Sequence, residues 1–387
     1  MRTSALALGL FSLVFVRQPA HAQDDTQVSV RFTGMVLTNG FFTSTRTNNL
    51  DIPQFVQRVT AGDSIGDGGG FGMTLRQTRV GVIAFWPDIA GGEMRAEIDA
   101  DFYGGQQASS FGDNFPLFHL RRAVAEISWE RGSLLVGQEV PLIAEHNPSS
   151  FATIGLSGFA ASGNLWLWLP QLRGAVHLFR QRNTRFSLEG AVIAPSSNEA
   201  AGELLTQPDR AELSERPALE GRAILRWGGR DRAGDISVGG HVGWLATTRD
   251  SLIRSEAIAV SARIPLWPGA HVIGEWFDGK ALAGLGGGGI GQNVFNGAMP
   301  VPTTGGWAQL VWQPLSAFAV SGGYGEDNPD DAFLAPAGRL RNRTVMANLQ
   351  ITPGPFIVAA EYRGMTTTYV TGDARGSHVN LGLGLRF

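Results

Sequence analysis

Eight ionic side chains carry the most chemistry in this chain: Arg76, Arg79, Arg95 and Arg121 on one side, and Glu97, Asp99, Asp101 and Glu145 on the other. Their types suit no covalent reaction. Guanidiniums and carboxylates that face each other across water set up a transverse field. Such a field favours polar solutes over apolar ones and sorts ions by sign. Spacing limits how they can be arranged. Arg76 and Arg79 are three positions apart, so they cannot share one face of a regular strand; one of them meets a rim or a bulge. Arg121 and Arg122 are adjacent and point opposite ways. A salt bridge within a wall is the alternative role for any one of these arginines. Glu145 stands with His146 in the long segment Pro141–Gly163, which continues as a mostly small, apolar stretch.

Other chemistry finds little support. The seven histidines, His21, His119, His146, His177, His241, His271 and His378, are scattered, and none forms H-E-x-x-H. His241 has Ser237 as the nearest hydroxyl on its own strand face, a spacing that leaves a lipid-hydrolysing enzyme as a remote alternative. No metal site, catalytic residue or cofactor is expected. The Gly-rich stretches 61–70 and 284–291 carry no phosphate-loop pattern and no strand-to-helix context, so they read as loop flexibility. Net charge is −3 and almost every basic residue is Arg. No basic cluster with interleaved aromatics points to nucleic acid.

The elements that position these charges are strands. In Glu93–Phe102 every odd position is charged and every even one apolar. The same period recurs at 236–244, 344–351 and 356–363. Polar faces this regular imply water on one side, and apolar faces imply lipid on the other. Only 17% of residues are charged, yet mean hydropathy is −0.01 and 52 residues are Gly, a balance that fits two-faced strands. No apolar run after residue 22 approaches the roughly 18 residues of a membrane helix.

Strands are expected near 27–43, 71–87, 93–104, 116–130, 133–140, 164–180, 186–195, 217–228, 236–246, 253–264, 270–281, 306–314, 317–326, 341–352, 355–370 and 376–387. That is about 16, enough to enclose an aqueous channel. Separators alternate between short and long. Tight turns on one rim and long loops on the other is the asymmetry of transmembrane barrels. The fold class is therefore an all-β, antiparallel, up-and-down transmembrane β-barrel. Trp86, Trp129, Trp166, Trp227, Trp244, Trp267 and Trp312 fall near strand ends, as aromatic girdles do.

The two chain ends agree with export to a membrane. Arg2, the apolar stretch Ala5 to Val16 and Ala20-His21-Ala22 read as a signal peptide over 1–22, leaving 23–387 as a single barrel domain. There is no Cys, so no disulfide staples the fold. The last strand sets Val379, Leu381, Leu383, Leu385 and Phe387 on one face. It resembles the closing strand of bacterial outer-membrane barrels, in which a terminal Phe is read by the barrel-insertion machinery. That likeness gives Phe387 a role in assembly.

A further resemblance runs through Leu75–Val82, Arg95–Phe102, Leu120–Ile127, Gly137–Leu142 and Trp168–Arg173. Their order is similar to the front half of the 16-stranded porins of the DcaP-like and phosphate-selective type. It covers residues 70–175. The resemblance implies a homotrimer in the bacterial outer membrane, and passive diffusion of small polar or charged solutes through each barrel. It implies that Pro141–Gly163 folds inward as the constriction loop, with the eight ionic residues lining the channel. A substrate-specific channel for anionic compounds is the alternative, and an outer-membrane phospholipase-like enzyme is the alternative from a different class. The first strand begins almost at once after residue 22, without the helical segment that DcaP-like porins carry.

Overall fold

A computed structural model describes residues 28–58, 68–105, 116–198, 208–229, 232–248 and 251–387. The expected signal peptide, 1–22, lies outside them. Among the described residues, sixteen antiparallel strands pair each with the next, and the last pairs with the first, so the sheet closes on itself. They are β1 (Ser29–Thr43), β2 in two arms (Gly70–Thr74 and Arg79–Ile89), β3 (Gly92–Asp101), β4 (His119–Trp129), β5 (Gly132–Glu139), β6 (Leu169–Gln181), β7 (Thr184–Ile193) and β8 (Ala218–Trp227). Then come β9 (Gly234–Ala246), β10 (Leu252–Pro265), β11 (Ala270–Lys280), β12 (Pro302–Leu315), β13 (Phe318–Pro329), β14 (Arg341–Ile351), β15 (Phe356–Tyr369) and β16 (Gly372–Arg386). Among the described residues there is no α-helix.

Side-chain alternation decides which face is which. On β16, Leu381 and Leu383 are 57% and 61% exposed, while His378 and Asn380 are buried. On β3, Ile98 is exposed, whereas Glu97, Asp99 and Asp101 are buried. Apolar groups therefore face outward and polar groups inward, the reverse of a soluble protein. Closure leaves no open edge of unpaired backbone groups to face lipid. At the seam Met35 pairs with Arg386 and Thr43 with His378. Phe387 exchanges both backbone hydrogen bonds with Gly34 at 3.1 Å.

The start of β1 and the end of β16 lie on the rim of short turns. The β2–β3 turn is a two-residue hairpin in which Ala90 and Gly91 both take positive φ, the type I′ geometry that matches strand twist. Connections on the other rim are mostly long. Two are short, between β9 and β10 and between β15 and β16, so the alternation of separators is looser than expected.

Two long connections are built against the wall's inner face. Leu142, Ile143 and Leu165, from the segment 140–168 between β5 and β6, pack with Leu282 and Leu285 of the β11–β12 connection. Ile193 and Phe277 of the wall join the same cluster. The glycine run 286–289 sits in this packing and is not a flexible tether. Gly286 and Gly287 have φ of +106° and +130°, and a Cβ on either would come within 2.7 Å of a backbone nitrogen of Leu167 or Ala161. Glycine is required there by close approach. Trp166 is also buried in this region, 6% exposed, and so belongs to no girdle, whereas Trp129, Trp267 and Trp312 are exposed.

Candidate functional site

The arginines reach the interior through two irregularities. Between the pairs Met35–Arg79 and Asn39–Thr74, three residues of β1 face four of β2. This extra residue breaks the strand expected over 71–87 at residues 75–78. It also turns Arg76 and Arg79 to the same side. Arg76 takes Asp51 of the first long loop in a two-pronged ion pair, 2.6 and 3.1 Å, and lies 4.2 Å from the Tyr103 ring. Arg79 pairs with Asp99.

The second irregularity corrects the expectation for Arg121 and Arg122. Asp99 pairs with Arg122, but Ala100 pairs with Leu120, so Arg121 is the extra residue of a bulge. Both guanidiniums therefore point inward. Arg122 reaches Glu97 at 2.7 Å and also pairs with Glu139. Arg121 lies 3.7 Å from Asp99, 3.5 Å from Asp101 and 4.7 Å from the Trp168 ring. Its Nε and Nη1 have no hydrogen-bond partner among the described residues. Arg95 pairs with Glu97 on its own strand.

The segment 140–168 touches inward-facing side chains of many strands. Ile143 N–H donates to Glu220 of β8 at 3.2 Å, and Leu165 N–H to Glu275 of β11 at 2.8 Å. Ser149 N–H donates to Gln309 of β12, and its carbonyl accepts from Asn348 of β14, both at 2.7 Å. Ser150 donates to Glu361 of β15. Ile154 N–H donates to Gln77, in the break of β2, at 2.7 Å. Glu145 pairs with Arg222 and, at 3.1 Å, with Arg226; Glu189 of β7 pairs with the same two arginines at 2.6 and 2.9 Å. Burial pushes the Glu145 carboxyl up, but Arg222 and then Arg226 outweigh it and hold it at about 2.

Between this segment and strands β2 to β8 lies a cavity of about 1390 Å³. Eight arginines and eight carboxylates line it. Of the residues expected to line a channel, Arg79, Asp99, Arg121 and Glu145 are on the surface of this cavity. Arg76, Arg95, Glu97 and Asp101 are not on its surface; they hold the wall and its loops. Arg122, Glu139, Arg173, Glu189, Arg222 and Arg226 line it without having been expected. Arg173 is bonded to Val140 carbonyl and Gln171, with no carboxylate partner among the described residues. The four-residue step from Arg222 to Arg226 puts both on one strand face, a signal present in the sequence.

Two smaller clusters resemble reactive sites. His241 Nδ1 is 3.0 Å from Glu220 and its Nε2 is 3.3 Å from Ser255, while Ser237, expected as its neighbour, bonds Ser261. The adjoining cavity is about 20 Å³, too small for an acyl substrate. The spacing Gly62-x-Ser64-x-Gly66 matches the nucleophile-elbow pattern, but it lies outside the described residues. Glu145, His146 and Asp235 bring one donor atom each within 4.8 Å of one another. Arg222 and Arg226 already hold Glu145 there.

No protein-family model matches the chain, and no curated protein sequence does. Solved structures match its fold along almost the whole length. The outer-membrane channel DcaP of Acinetobacter baumannii aligns with a TM-score of 0.69 and 16% identity, covering 95% of this chain and 100% of the other. The fold is that of the 16-stranded porins. An anion-selective porin from Comamonas acidovorans aligns at 0.58 with 10% identity, covering 93% of this chain and 100% of the porin. OmpF of Salmonella typhi aligns at 0.57 with 12% identity, covering 92% and 97%. The resemblance drawn from residues 70–175 thus extends to the porin fold of the whole barrel.

Proposed function

We propose that this protein is a porin of the bacterial outer membrane, through which small polar or charged solutes diffuse passively. The observation that carries the reading is the ion-lined cavity of about 1390 Å³ inside a closed barrel with an apolar outer face. Segment 140–168, which contains the loop expected at Pro141–Gly163, acts as the constriction. Its contacts with β8, β11, β12, β14 and β15 support a path that crosses the lumen. Solutes then pass between Ser150, Thr153 and Ser157 on one side and Arg79, Arg121 and Arg122 on the other, all of which line the cavity. Equal numbers of arginines and carboxylates fit weak selectivity.

Anionic solutes are the second reading. It is favoured by the donors of Arg121 and by Arg173, which have no hydrogen-bond partner and no ion-paired carboxylate, respectively, among the described residues. Export by removal of residues 1–22, insertion guided by Phe387, and assembly as a homotrimer complete the proposal. No catalytic role, cofactor or nucleic-acid partner belongs to it. The Ser255–His241–Glu220 cluster is a wall element, because Glu220 also accepts the Ile143 N–H and so anchors the loop.

Planar-bilayer recording of the purified protein tests this reading. Stepwise, ohmic currents with a modest reversal potential in a salt gradient are expected. A protein that inserts and conducts nothing overturns it.

A further inference from the structure

Charge is absent from most of the outward face but returns near the long-loop rim. On β13 to β16 the outward positions there hold Glu326, Arg341, Arg343, Asp373 and Arg375. They share strand faces with Tyr324, Val345 and Val379, which are 47%, 53% and 41% exposed. Register places them in rows. Glu326 pairs with Arg343, Arg343 with Thr366, and Thr366 with Arg375. One row further out, Arg341 pairs with Thr368 and Thr368 with Asp373. Neighbouring strands lie about 4.8 Å apart, so Arg343 and Arg375 flank a threonine across roughly 10 Å.

Arg341 Nε donates to Asn328 Oδ1 at 2.8 Å, but toward carboxylates all three guanidiniums are loosely held. Arg341 is 3.8 Å from Glu326, Arg343 is 3.6 Å from Asp373, and Arg375 is 3.5 Å from the same Asp373. Arg343 Nε is buried without a hydrogen-bond partner among the described residues, and the Arg375 side chain is 77% exposed. On the rim of β10 and β11 a single carboxylate, Glu256, takes Lys280 at 2.7 Å and Arg254 at 3.4 Å. The Thr368 hydroxyl donates to Asp373 at 2.8 Å, so the β13–β16 patch combines two arginines without a close carboxylate, Arg343 and Arg375, the Thr366 hydroxyl between them and an apolar band just below. Guanidinium forks match phosphate oxygens, the Thr366 hydroxyl adds a donor, and the band accepts acyl chains.

We propose that the outward face of β13 to β16 at the long-loop rim binds the phosphorylated headgroup of an outer-leaflet glycolipid. The inference rests on the outer-membrane reading, with the long loops on the outer side. The site is on the lipid-facing wall, separate from the channel.

Native mass spectrometry of the detergent-solubilised protein, with bisphosphorylated lipid A or its dephosphorylated form, provides the test. The wild type is expected to retain the bisphosphorylated lipid about tenfold better. Arg343→Gln with Arg375→Gln should abolish that preference, and Arg254→Gln with Lys280→Gln should leave it intact. Equal retention of the two lipids, or an unchanged preference in the double variant, overturns the proposal. Displacement of the lipid by millimolar inorganic phosphate would mean a free-anion site and also overturns it. A double variant that changes only oligomeric state would reassign the patch to contact with a second copy. Bilayer currents from the same preparation keep a failed lipid site distinct from a failed channel reading.

Discussion

At the scale of single residues, strict alternation placed the carboxylates and misplaced one arginine. Glu97, Asp99 and Asp101 face inward because β3 is regular from Glu93 onward. Arg122 does too, because Arg121 is bulged, and a bulge on a strand of ordinary residues leaves no mark in composition. The two strands that flank β3 each spend one extra residue beside the same acids, and the result is a denser arginine face than regular pleating allows. If both side chains meet the ions, Arg121→Gln and Arg122→Gln should each shift the reversal potential toward cations. Regular alternation would silence one of them, so recordings of the two single variants decide between the geometries. Glu145 gives a prediction in pH. Its carboxyl is depressed to about 2, so it stays charged at pH 4, where an ordinary Glu, at about 4.3, is mostly protonated. The stability it contributes is complete above the ordinary value and is lost as pH falls through about 2. The difference in selectivity between wild type and Glu145→Gln should therefore be as large at pH 4 as at pH 7. A difference that vanishes by pH 4 would show that Arg222 and Arg226 do not hold the carboxylate.

At the scale of elements, two long connections stack on each other inside the wall, and glycine makes that stacking possible. The sequence shows where Pro141–Gly163 begins and that its residues are small enough to lie within a lumen. It does not show that the glycine run 286–289 is the surface against which this loop packs, because a run of glycine looks the same in a tether and in a close contact. Gly287→Ala adds a Cβ at a positive φ and within 2.7 Å of Ala161 nitrogen, so either the loop or the run must shift. Conductance should become noisier, and the temperature at which the barrel unfolds on a gel should fall. Shortening the loop around Ser149–Ser157 removes its bonds to Gln309, Asn348 and Glu361 and should raise single-channel conductance. Unchanged conductance on shortening would move the constriction to another loop.

At the scale of the whole molecule, the strand rhythm sufficed to find the barrel, because the period of two is the direct imprint of a wall with lipid outside and water inside. The outward set Leu381, Leu383 and Leu385 and the inward set His378 and Asn380 were legible from the last ten residues alone. Loops filling part of the lumen were less legible, since an inward residue can face either water or another segment. Gly382 is inward, yet it adjoins Asn39 and Leu37, and Leu37 packs with Phe151 and Ile154 of the loop; it is no guide to the water path. Ala175 of β6 is a better one, as it lines the cavity between Ser133 and Glu189. The two faces should then respond to the same substitution in opposite ways. Leu381→Arg puts a guanidinium against hydrocarbon and should cost about 2–4 kcal/mol if the site lies near the bilayer midplane. Ala175→Arg puts the same group in water, opposite a carboxylate. It should leave the folding free energy nearly unchanged while lowering conductance and moving selectivity toward anions. Folding titrations in lipid vesicles measure the first effect and bilayer recordings the second. If Ala175→Arg destabilises the barrel as much as Leu381→Arg, the cavity is not an aqueous path, and the channel reading fails with it.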